Sequence, residues 1–126
     1  MKFILGIANF NKKYGYANKI NYNKINLILK KAIFLKIKEI DTANNYKTSN
    51  KKLNKNKLKK NFLMNTKISI IKGNDYKVKI DSEIRIFKKN LNITKINTLL
   101  FHDRQQIFEK NIENIVNYMA ELKKKK

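Results

Sequence analysis

Cysteine, proline and tryptophan are absent from this chain, and it holds only three glycines and one histidine. Without cysteine there is no disulfide framework, no thiolate nucleophile and no Cys-ligated zinc site. A single histidine excludes a metal centre built on several imidazoles, and no metal site is expected. Acidic residues are also scarce, 9 against 30 Lys+Arg, for a formal net charge of +21. No apolar run approaches the ~20 residues of a membrane-spanning helix. Asn9, Asn11, Lys12 and Lys13 interrupt the apolar start too early for a secretory signal. A cytoplasmic protein with no membrane partner is expected.

What remains suffices for one domain. With 126 residues, of which 42% are hydrophobic, the chain can bury a core, which argues against wholesale disorder. The positive charge is a weaker guide. Lys, Asn, Ile, Tyr and Phe dominate, all with A/T-rich codons, so a skewed base composition accounts for such a profile whatever the protein does. The lysines are scattered, with dense runs only from Lys51 to Lys60 and from Lys123 to Lys126. Arg, whose planar fork suits phosphate, is nearly absent. Nonspecific attraction to polyanions is expected, a specific nucleic-acid partner is not. A small basic nucleic-acid-binding protein stands as the alternative class.

Along the chain the apolar period alternates between strand and helix. Phe3-Ile4-Leu5-Gly6-Ile7-Ala8 reads as a buried strand, followed by a polar loop from Asn9 to Asn23 that contains Tyr14-Gly15-Tyr16. Ile25, Ile28, Leu29 and Ala32 then form one helical stripe. Glu39-Ile40-Asp41-Thr42-Ala43 ends a second strand, after which Thr48 and Ser49 can cap a short helix through Leu53 and Leu58. Phe62 to Lys67 reads as a third strand. Ile80, Ile84, Phe87 and Leu91 mark a helix ending near Asn90 and Asn92. A fourth strand spans Ile96 to His102, and Ile112, Ile115, Val116 and Met119 form a last stripe. Four strands alternating with four helices imply parallel pairing through right-handed crossovers in a single α/β unit.

In such a unit, chemistry collects where strands end and the following loops begin. Asp41, Lys67 and His102 each close an apolar run, and Tyr46 lies just beyond the second strand. Adjacent parallel strands lie about 4.8 Å apart, so Asp41 and Lys67 can pair across neighbours, with His102 one strand further on. Each residue has an ordinary structural account. Asp41 can be a strand-end turn, Lys67 one lysine among many, His102 a structural histidine and Tyr46 a packing ring with a wet hydroxyl. Their coincidence on one rim makes them a candidate site, because burying such groups singly costs several kcal/mol unless they meet.

The segment Asp41-Thr42-Ala43-Asn44-Asn45-Tyr46-Lys47-Thr48-Ser49 resembles the Asp-Thr-Ala-x-x-Tyr-Gly-x-Ser signature of the aldo/keto reductases. Asn65-Thr66-Lys67 and Leu99-Leu100-Phe101-His102-Asp103 are similar to that family's strand-three and strand-four motifs, and Leu5 to Phe10 with Tyr14-Gly15 is similar to its first strand and loop. The resemblance covers essentially the whole chain in order. It implies a catalytic tetrad of Asp41, Tyr46, Lys67 and His102 and NADPH-dependent reduction of a small aldehyde or ketone. Tyr46 would donate the proton, Lys67 would favour its phenolate, Asp41 would hold Lys67 charged and aimed, and His102 would orient the carbonyl. Asp41, Lys67 and Ala8 would border the cofactor.

Three departures accompany the resemblance. Lys47 stands where the signature has glycine, and Asn11 stands where another glycine is expected. Lys in a left-handed conformation would be strained unless the loop differs. The third is length, since a (β/α)8 barrel takes about 250 residues. The expected fold is therefore a parallel (β/α)4 half of a TIM barrel, with residues 1–126 a single partial domain. The closing lysine run suggests a truncated or frameshifted chain lacking most of the family's cofactor loops. A half barrel leaves two open edges and an uncovered concave face, so self-association or a complementary half-barrel chain is expected, and a non-catalytic remnant is the alternative.

Overall fold

Four short parallel strands, each followed by a helix, make up the protein in its computed structural model, which describes residues 2–10, 20–69 and 71–124. The elements are β1 (Leu5–Gly6), α1 (Tyr22–Phe34), β2 (Glu39–Asp41), α2 (Lys47–Asn54), β3 (Leu63–Ile68), α3 (Tyr76–Leu91), β4 (Thr98–Phe101) and α4 (Ile112–Lys124). Single 3-10 turns lie at Ala8–Phe10, Lys57–Asn61 and Arg104–Phe108. The expectations for Asn11, Tyr14, Gly15 and the final two lysines fall outside the described residues.

The sheet order is β1-β2-β3-β4, all parallel. The order never reverses, which is the winding of a barrel wall rather than of a doubly wound sheet. One register row runs Gly6, Asp41, Asn65, Thr98, and Lys67 lies opposite Leu100. Because strand side chains alternate between faces, Ile7, Ile40, Met64 and Ile68 point beneath the helices. There the first three join Ile25, Leu29, Leu53, Phe87 and Leu91, and Ile68 joins a second cluster with Ile71, Ile80 and Ile115, all buried. The opposite, concave face presents Ile4, Leu63 and Leu100, which stay 48%, 52% and 42% exposed.

The helices follow the apolar stripes. Asn21 caps α1 by accepting from Lys24 N at 2.9 Å, and Ile25, Leu29 and Ala32 are its buried face. Lys36 ends α1 in a left-handed conformation, φ 57°, while its neighbour Ile37 N donates to Ala32 O. Asn92 does the same after α3 with φ 49°. Glycine usually fills such positions, and this glycine-poor chain substitutes lysine and asparagine. α4 buries only Ile115, and a cavity of about 520 Å³ lies between α3, β4 and α4, lined in part by Ile84, Leu99, Val116 and Met119. α4 is fixed to α3 by Tyr118, whose hydroxyl lies 2.8 Å from both Asp81 carboxylate oxygens.

Several expected boundaries shift. Only Leu5–Gly6 of the run Phe3 to Ala8 forms strand, because Ala8 turns into a 3-10 helix with Phe10 N on Ile7 O. Phe3 is left exposed. Thr48 and Ser49 do not cap α2. The helix starts one residue after Tyr46, and Ser49 is buried within it, donating to Ala8 O at 3.4 Å. Leu58 lies outside α2 because Asn56 takes an extended conformation and its side chain starts the next turn at Leu58 N. His102 falls just past β4 rather than within it.

Candidate active site

The four residues singled out by position arrive at one end of the sheet as two contacts. Asp41, the last residue of β2, accepts from the Lys67 ammonium of β3 in an ion pair. Tyr46 and His102 form the other: their rings meet edge to face, centroids 6.1 Å apart and planes at 72°. The two contacts are linked through β3, since His102 N donates to the carbonyl of Ile68, the residue after Lys67. The register places Asp41 beside Gly6 and Asn65.

Water reaches this end of the sheet. The Asp41 and Lys67 side chains are 32% and 21% exposed, Tyr46 is half-buried and His102 exposed. An open groove of about 590 Å³ runs down the concave face past Gly6, Asp41, Asn65, Lys67, Thr98 and Leu100. At Gly6 a side chain would meet nothing within 4 Å, so the space beside Asp41 is free. A polar chain crosses the strands beside the groove: Asn97 donates to Asn65 Oδ1 at 2.8 Å, and Asn65 donates to Glu39 Oε2 at 2.9 Å. Lys2 pairs with the same carboxylate. The Asn65 amide, and next the Lys2 ammonium, hold the Glu39 carboxyl below the usual carboxylate range.

The loop that carries Tyr46 is fixed by residues that position alone did not single out. Thr42 Oγ1 donates to Asn50 Oδ1 at 2.6 Å, and Asn50 Nδ2 donates to Ala43 O at 2.8 Å, all out of solvent. Asn44 Nδ2 donates to Glu83 O of α3 at 2.9 Å. Asn45 lies with its amide nitrogen 3.4 Å from His102 Nε2. Asn50 carries a sequence signal, because Tyr46, Asn50 and Leu53 fall on one helical stripe and asparagine there breaks the apolar pattern. Asn44 and Asn45 offer none, since their partners come from other βα units.

Two expectations from the resemblance meet particular geometry. Lys47 is the first residue of α2, and among the described residues only Lys36 and Asn92 are non-glycine with positive φ. The lysine in place of the signature glycine is therefore unstrained, and the loop enters the helix directly. Ala8 lies half-buried just past β1, its carbonyl accepting from Ser49.

A sequence profile described as the Aldo/keto reductase family matches residues 2–125. No curated protein matches at a significant level. Among solved structures, one of a candidate aldo-keto reductase from Pseudomonas aeruginosa superposes with a TM-score of 0.72 at 17% identity, covering 97% of this chain and 51% of that one. A second structure from the same organism, described the same way, gives 0.71 at 17%, covering 97% and 49%. The chain thus spans about half the length of the structures it matches, and its fold is half of their barrel. Among the described residues no helix is long and apolar enough to cross a membrane. With the family profile running almost end to end and the barrel wall present in order, the chain belongs to the aldo/keto reductase family.

Proposed function

We propose that this chain carries the proton-transfer face of an NAD(P)H-dependent reductase that converts an aldehyde or ketone to an alcohol. The supporting observation is the meeting of Asp41 with Lys67 and of Tyr46 with His102 at one end of a parallel sheet. Tyr46 Oη gives its proton to the carbonyl oxygen as the carbonyl carbon is reduced. The Lys67 ammonium favours the negative charge left on the phenol oxygen, and Asp41 keeps that ammonium in place. His102 orients the carbonyl and offsets charge developing on its oxygen. NADPH, when bound, supplies the hydride. Asp41 and Lys67, which line the groove beside the open space at Gly6, and Ala8, just past β1, would border the cofactor.

The exposed Ile4, Leu63 and Leu100 favour a working form in which a complementary half-barrel polypeptide covers the concave face. The test uses the full chain, alone and together with a polypeptide that supplies the other half of an aldo/keto reductase barrel. NADPH oxidation is followed by absorbance with 4-nitrobenzaldehyde as the carbonyl probe. Aldehyde-dependent oxidation by the pair, lost by at least about a hundredfold in Tyr46→Phe, is the expected result. Activity unchanged in Tyr46→Phe, or no oxidation by the pair, overturns the proposal, the second outcome marking a non-catalytic remnant.

A further inference from the structure

We propose that Asn50, seated by Thr42, is the positioning residue that sets Tyr46. This role rests on Tyr46 being the proton donor. Both Asn50 and Thr42 are buried, at 1% and 0% exposure. The Asn50 side chain spans the turn, accepting from the Thr42 hydroxyl and donating to the Ala43 carbonyl. That carbonyl also accepts from Tyr46 N at 3.1 Å, and the Tyr46 carbonyl accepts from Asn50 N at 2.9 Å. Tyr46 is therefore held at its N–H through the acceptor it shares with the Asn50 amide, and at its C=O by Asn50 itself.

The chemistry calls for an amide. A carboxylate at position 50 would lack the donor for Ala43 O, and an aliphatic side chain would leave the buried Thr42 hydroxyl without its acceptor and Ala43 O with Tyr46 N as its remaining donor. The loop has no left-handed residue to define its path, since Tyr46 sits at φ −83° and ψ 45° and Lys47 is helical. The buried clamp supplies that definition. It ties the end of β2, where Asp41 meets Lys67, to the start of α2, where the Tyr46 ring meets His102.

His102 is the chain's single histidine, so in D2O, with the amides exchanged, its imidazole Hε1 resonance reports the Tyr46 ring with no second imidazole to confuse it. Proton NMR of the full chain is compared for the unaltered protein, Tyr46→Leu, Asn50→Ala, Thr42→Val and Thr42→Ser. Leu91→Ala is a control that weakens the core far from the site. Tyr46→Leu moves the His102 signals by removing the ring. Asn50→Ala moves them most of the way to that position and Thr42→Val part of the way, while Thr42→Ser and Leu91→Ala leave them in place. Folded Asn50→Ala with unmoved His102 signals overturns the proposal. Where Asn50→Ala does not fold, Thr42→Val decides, a shift supporting the role and an unmoved signal overturning it. Because no turnover is needed, failure here is separate from a failure of NADPH oxidation.

Discussion

Asp41→Asn, Lys67→Met and the double substitution together measure how strongly the rim pair is coupled. The two side chains keep 32% and 21% of their exposure. The pair therefore lies between an exposed ion pair, worth about 0.2–1 kcal/mol, and a buried one, where losing one partner costs about 3–5 kcal/mol. Water in the open groove screens the attraction and resolvates whichever partner is left alone. A coupling energy of about 1–2 kcal/mol follows from that intermediate burial. A loss of that size lowers the melting temperature of a domain this long by roughly 3–8 °C. The assay is urea unfolding of all four proteins at low and high salt, and the coupling shrinks modestly as salt rises. A coupling below about 0.3 kcal/mol, within the usual additivity error, would refute the contact. A salt-insensitive value of about 3 kcal/mol or more would refute the open groove instead, because only a face closed to water supports it.

Three further outcomes follow from the same geometry. Glu39 has its folded pKa held below the ordinary 4.5, so its ionised form stabilises the fold above that pH and the benefit is lost as pH falls through the folded value. The stability gap between the protein and Glu39→Gln is therefore full at neutral pH and closes in acid, as thermal melts across the acid range read directly. The Tyr118 phenol is pushed up to about 12 by burial and then by its hydrogen bond to Asp81. Its protonated form stabilises the fold below pH 10, with the benefit lost as pH rises toward 12. Ultraviolet titration of tyrosinate shows a late-ionising component from Tyr118, and Asp81→Asn brings it earlier. Gln106, fully buried, accepts from Ile71 N and donates to Ile71 O. Gln106→Leu orphans both groups and costs about 2–4 kcal/mol by denaturant unfolding.

Much of the architecture is already in the one-dimensional pattern. Ile25, Leu29 and Ala32 occupy one helical stripe and are the buried face of α1, and Ile80, Phe87 and Leu91 do the same for α3. Strand ends are less visible. β1 pairs over only two residues because the chain turns into a 3-10 helix at Ala8. Of the site, Asp41, Lys67 and His102 stand out as polar residues closing apolar runs, and the parallel order then brings Asp41 to Lys67. Asn45, Asn44 and Gln106 do not stand out, because their partners His102, Glu83 and Ile71 lie 57, 39 and 35 positions away.

The sequence by itself determined the alternation of strand and helix and that polar residues gather near the strand ends, although β3 runs one residue past Lys67 and β4 stops one residue before His102. Both follow from local periodicity and from the cost of burying charge mid-strand. Only the tertiary structure decided where α2 begins, how Tyr46 is held and which apolar residues stay uncovered on the concave face. Those outcomes depend on buried donors and acceptors finding partners from distant segments, and on which side of the sheet the helices pack, neither of which is written in neighbouring residues.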